Sequence, residues 1–108
     1  MLLLGEWNNK EDLARDFNLS KQNFDNVNVI YGCYDIDGYE GSAFVLFEQN
    51  GKVYEVNAYH CSCYGLEEGW EPEETSCEAL EYRIKNGNLK NAFGGFCEQV
   101  MLEIAKFK

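Results

Sequence analysis

Apolar residues recur with two different periods along this chain, and the change of period divides it. Between Val27 and His60 they alternate with polar residues, as in a strand with one face turned inward. Before residue 25 and after residue 75 they recur every three or four positions, as along a helix. Asn8 or Asn9 is placed to cap a first helix, with Glu11 and Asp12 in its first turn, where the helix dipole favours acids. Leu13, Ala14 and Phe17 form its inner face and Asn18 its end, and Ser20 caps a second short turn over Lys21 to Phe24. The phrase Asp12 to Ser20 resembles the first half of a helix-turn-helix. Where a recognition helix should follow, however, stands the β-branched run Val27-Asn28-Val29-Ile30-Tyr31, which excludes it.

Three strands are expected: Val27 to Tyr34, Ser42 to Gln49, and Lys52 to His60. Asn50-Gly51 joins the last two as a two-residue type I′ hairpin, because both residues accept the positive φ that this turn demands. That turn fixes the register, with Gln49 facing Lys52, Phe47 facing Tyr54, Val45 facing Val56 and Ala43 facing Ala58. The last six of these residues share one apolar face. The other face carries Phe44, Leu46, Glu48, Val53, Glu55, Asn57 and Tyr59, a mixture expected to be half exposed. The same alternation sends His60 toward the apolar face and Cys61 away from it.

Thr75 and Glu78 have the spacing of a capping box, opening a helix through Ala79, Leu80, Tyr82 and Ile84 that closes at Asn86-Gly87. A linker over 88–95 leads to a last helix, Phe96 to Phe107, with Cys97, Val100, Met101 and Ile104 on one stripe. The expected fold is therefore α+β in a single domain, residues 1–108. It is a three-stranded antiparallel β-meander with helices packed on one face, in the order α-β-β-β-α-α. A double-stranded-RNA-binding domain shares the α-β-β-β-α core. Its second helix meets phosphate, whereas here that helix begins among acids, so the likeness is one of topology.

Charge narrows the function. The chain has 19 acidic against 9 basic residues, a net charge of −10, with the excess concentrated between residues 27 and 86. Binding to nucleic acid needs basic groups that displace counterions, so direct contact with it is disfavoured; the acidic excess either serves solubility alone or attracts a basic protein partner. The apolar start Met1-Leu2-Leu3-Leu4 stops at Gly5-Glu6, too short for a signal peptide, and no run is long enough for a membrane helix. A cytoplasmic protein is expected, with its 5 cysteines as free thiols.

Chemistry concentrates between His60 and Glu74, which hold the sole His and the sole Pro. His60, Cys61 and Cys63 are zinc-ligand types, although their spacing departs from Cys-x2–4-Cys and a fourth ligand must come from Cys33, Cys77 or Cys97. A thiol nucleophile at Cys61 or Cys63 with His60 as base is disfavoured by the nearby Glu67, Glu68 and Glu71, which oppose thiolate formation. Asp35, Asp37 and Glu40 form an incomplete calcium-loop pattern, better read as a solvated turn. Aromatic residues flank both acidic stretches. Tyr64, Glu67, Glu68, Trp70, Glu71, Glu73 and Glu74, with Asp35, Asp37, Tyr39 and Glu40, make up the expected binding surface, aromatic anchors set among acids.

The runs Gly41-x-Ala43-Phe44-Val45-Leu46-Phe47 and Gly51-Lys52-x-Tyr54-Glu55-Val56 recur in a known setting. So do His60-Cys61-Ser62-Cys63-Tyr64-Gly65-Leu66-Glu67 and Trp70-Glu71-Pro72-Glu73-Glu74-Thr75. Together they resemble a family of small uncharacterised bacteriophage proteins. The resemblance covers roughly residues 27–87 and leaves the last helix outside. It implies expression in a bacterial cytoplasm and a part for the loop at 60–67. The leading expectation is a small acidic phage-encoded module that inhibits or modulates a host protein concerned with defence or nucleic-acid handling, working as a monomer or a homodimer. The alternatives are a small domain stabilised by zinc at His60, Cys61 and Cys63, and a thiol-dependent enzyme.

Overall fold

The computed structural model describes residues 2–19, 24, 26–38, 40–60, 66, 69–86 and 97–106, without the side chains of Leu2, Leu4, Asp37, Cys97 and Glu98. The elements follow the order β1 (Leu2–Gly5), α1 (Lys10–Asp16), β2 (Asn28–Asp37), β3 (Glu40–Gln49), β4 (Lys52–His60), β5 (Glu73–Thr75), α2 (Cys77–Lys85) and α3 (Cys97–Ala105). The fold is α+β. Its sheet has five strands in the order β1-β2-β3-β4-β5, antiparallel throughout except for β1, which runs parallel to β2.

The expected meander is the centre of this sheet. Asn50 and Gly51 both have positive φ, 56° and 82°, and the four expected pairs, Gln49 with Lys52 through Ala43 with Ala58, are all formed. Glu48 braces the hairpin by accepting hydrogen bonds from the Gly51 N–H (2.8 Å) and the Asn28 amide (2.6 Å). Those two bonds hold its carboxyl below the usual carboxylate range. A β-bulge between Val29 and Tyr31 shifts the β2–β3 register by one residue. Asn9 caps α1, accepting from the Asp12 N–H at 2.8 Å.

Three expectations are corrected. The strand count rises from three to five, because the apolar Leu2-Leu3-Leu4 extends β2's edge and Glu73–Thr75 extends that of β4. The order is thus β-α-β-β-β-β-α-α. The helices cover both faces of the sheet rather than one, because both sets of alternating residues are apolar enough to need burial. On the first face Trp7, Leu13, Phe17, Phe24 and Leu66 pack against Val29, Tyr34, Val45, Phe47 and Val56. On the second face Cys77 and Leu80 of α2, with Val100 and Ile104 of α3, pack against Ile30, Tyr31, Phe44, Leu46 and Val53. Lastly, Ser76 caps α2 rather than Thr75. Thr75 is held in β5 opposite Val53, while Ser76 accepts the Ala79 N–H at 3.1 Å.

The second face also buries a charge. Glu55 on β4 is only 8 % exposed, and Arg83 of α2 donates to its Oε1 at 2.6 Å. Its Oε2 takes no hydrogen bond among the described residues. Removing the cation would leave a carboxylate half-dehydrated with nothing to balance it. Arg83→Ala is expected to lower the unfolding free energy by about 1–3 kcal/mol in urea titration, and adding Glu55→Gln should restore part of the loss. Unchanged stability in Arg83→Ala would show that the pair adds nothing.

Candidate functional site

A continuous chain of aromatic rings crosses the first face. Tyr34 packs on Trp7 (5.4 Å between centroids), Trp7 on Phe17 (5.8 Å), and Phe17 edge-on against Trp70 (5.0 Å). Trp70 then stacks on Phe47 at 5.3 Å, and Phe47 stacks on Tyr54 at 5.2 Å. Phe24 closes against the edge of Trp70 at 5.8 Å. Trp7 is anchored by a 2.8 Å hydrogen bond from its indole N–H to Asp16.

Where this chain reaches the hairpin end of the sheet, it opens into a cleft of about 400 Å³ lined by Phe24, Phe47, Tyr54, Trp70 and Pro72 together with Leu19, Val27 and Gln49. Trp70 and Tyr54 are half-buried, each presenting part of its ring to the cleft, whereas Glu71, Pro72, Glu73 and Glu74 are exposed. The chain reaches this position by running back along the first face: Gly69 lies over Ala58 and Phe17, Trp70 over Phe47, and Glu74 pairs with Tyr54 at the edge. Glu71 and Glu74 therefore flank an aromatic cleft, whereas Glu73, abreast of Glu55, stands on the second face. At the α1 end of the cleft, Lys10 lies 4.9 Å from the centroid of Phe24 and donates to the Val27 carbonyl at 2.6 Å. That cation is held by its own chain.

The expected binding surface thus divides. Trp70, Glu71 and Glu74 come together at the cleft, and Glu73 does not. Asp35 and Glu40 stand on the second face, at the opposite end of β2 and β3, so the two acidic stretches do not form one surface. The backbone of Asp37 pairs with Glu40. Tyr39, Tyr64, Glu67 and Glu68 lie outside the described residues. Phe24, Phe47 and Tyr54 went unread as site residues. Phe47 and Tyr54 carried a signal, since the hairpin register places them abreast at the sheet's end, but their neighbour Trp70 arrives from a distant segment.

His60 reaches the first face, as expected from alternation. Its Nε2 lies 2.5 Å from the Tyr34 hydroxyl and its ring occupies the space above Gly41, where any Cβ would collide with it. Cys61 and Cys63 lie outside the described residues, as does the Cys97 side chain. Cys33 and Cys77, offered as a fourth zinc ligand, both belong to the second face, so the sheet separates them from His60. Cys77 is buried with its thiol 3.6 Å from the Ile104 carbonyl. Among the described residues no three His, Cys, Asp or Glu side chains converge to hold a metal, and no helix is long and apolar enough to cross a membrane.

No family model matches this chain, and neither curated proteins nor solved structures provide a match.

The thiol of Cys33 is half-buried beside Asp35, Sγ to Oδ2 3.7 Å. Burial above all, then the Asp35 charge, pushes it above the ordinary 9.0. Because the thiolate is the reacting form, alkylation of Cys33 by iodoacetamide, followed by peptide mass spectrometry, should be slow at neutral pH and still accelerating beyond pH 9. Asp35→Asn should speed it at pH 8. A rate that levels off below pH 8 would contradict this.

Proposed function

We propose that this protein is a non-enzymatic binding module, made by a bacteriophage, that inhibits or modulates a host protein concerned with defence or nucleic-acid handling. Its contact surface would be the acid-flanked aromatic cleft at Tyr54, Trp70, Glu71, Pro72 and Glu74. The observation that carries this reading is the stack Trp70–Phe47–Tyr54, with Trp70 and Tyr54 partly open beside the exposed Glu71 and Glu74. Partly exposed aromatic rings already held by packing give contact area at little cost in side-chain entropy. Acids at the rim favour a basic partner and steer it during approach. The net charge of −10 acts in the same direction at longer range. The phage setting rests on the sequence resemblance of residues 27–87 alone, and the bacterial cytoplasm follows from it.

Capture of host proteins from a bacterial lysate tests the reading, with wild type and Glu71→Gln/Glu74→Gln immobilised in parallel. Both positions are exposed, so the variant should melt with the wild type. A specific partner should be retained by wild type and bind the variant at least about tenfold more weakly. Its affinity should fall steeply as salt rises from about 0.05 to about 0.3 M, where screening shortens the reach of surface charge. Equal retention by both proteins, or binding indifferent to salt, would overturn the proposal.

A further inference from the structure

The second face has its own concavity. Helices α2 and α3 cover only the part of this face around Ile30, Leu46 and Val53. Beyond them, toward the β2–β3 turn, lies a cleft of about 360 Å³. Its floor is a grid set by strand register: Cys33, Phe44 and Asn57 stand abreast on β2, β3 and β4, and Asp35, Ser42 and Tyr59 form the next row. All six line the cleft. The three strands are the central ones of the sheet, paired without a break through both rows, so these side chains are held at fixed spacing. We propose that this cleft is a binding site for a small organic cation, an alkylguanidinium or alkylammonium, whose charge meets Asp35 and whose alkyl body lies against the rings of Tyr59 and Phe44.

Four features converge on that ligand class. The volume falls within the range of small-molecule sites, which combine apolar walls with a few placed polar groups. Asp35 is exposed, and among the described lining residues it is the one carboxylate, with no lysine or arginine to neutralise it. Tyr59, 65 % exposed, offers a ring face for a cation–π contact, and the Ser42 hydroxyl and Asn57 amide supply further acceptors. Finally, the next row toward α2 ends at Glu55, which already holds the Arg83 guanidinium through its Oε1. That cation is therefore kept from Asp35, and this face of β4 binds such a group within its own chain. Cys33, its thiol raised by burial and by Asp35, stays neutral near pH 7, so the negative charge of the cleft is that of Asp35.

The cleft and the aromatic groove lie on opposite faces, so the two proposals stand or fall separately. The test is an NMR titration of the full chain with butylguanidinium, butylammonium and, as an uncharged isostere, butylurea. Saturable shifts with both cations are expected at Cys33, Asp35, Ser42, Asn57 and Tyr59. Butylurea should bind at least about tenfold more weakly, and Asp35→Asn should weaken the cations to the same degree. Tyr59→Ala should cost about two- to fivefold. Absence of saturable shifts, equal binding of butylurea, unchanged affinity in Asp35→Asn, or shifts confined to Phe47, Tyr54 and Trp70 would each overturn the proposal. A lysine- and arginine-bearing peptide that binds here when neither free cation does would assign the cleft to a partner chain and overturn it as well.

Discussion

The packing of Trp70 on Phe47 is the contact on which the arrangement of the chain depends. The segment after β4 has to travel from the far end of the first face to the free edge of β4 and then round to the second face. Trp70 pins it midway, touching Phe17 of the α1 cap, Phe24 and Phe47 at once. Each such ring pair is worth about 0.5–1.5 kcal/mol beyond the area it buries. With the ring seated, Glu73–Thr75 falls into register beside Val53–Glu55, and Ser76 opens α2 on the opposite side of the sheet. The same ring forms one wall of the proposed partner cleft. On the proposed reading folding and recognition draw on one side chain, which would present a rigid edge to a partner because packing has already fixed its other edge.

Sheets buried on both faces need cover from both directions, and a chain of this length has little cover to give. The first face is closed by Trp7, α1 and the returning loop, the second by α2 and α3. Each cover is partial. The first leaves an aromatic cleft at the hairpin end, and the second leaves a polar, tyrosine-walled cleft at the other end. The two proposed sites thus follow from how a small domain distributes its cover. Their chemistry differs because the strands present rings at one end and Asp35, Ser42 and Asn57 at the other. The acids on β5 also make a charged edge strand, which resists pairing with another chain.

The hairpin was legible in the sequence because two local rules agree there: Asn50-Gly51 accepts positive φ, and the apolar period is two on either side of it. Burial of the second face was harder to see. Glu55 interrupts its apolar residues and reads as exposed, until Arg83 arrives from 28 positions away to pair with it. Strand β1 is a short apolar stub with no turn signal of its own, and β5 is Glu-Glu-Thr, whose strand state comes from the edge of β4 rather than from propensity. Thr75 and Ser76 are equally good caps by composition, and strand pairing of Thr75 decides between them. In the candidate site, Trp70, Glu71 and Glu74 were visible as an unusual local mixture. That they stand apart from Asp35 and Glu40 depends on the loop running back along the first face, which no local pattern encodes.

The most direct test of the account is amide hydrogen exchange of the protein with and without a captured, purified partner. The account predicts new protection over residues 70–75 and over Phe47 to Tyr54, with Asp35 to Ser42 and Asn57 to His60 unchanged. Protection confined to the Asp35–Ser42 end, or spread over neither segment, would contradict the assignment of the aromatic cleft as the partner surface.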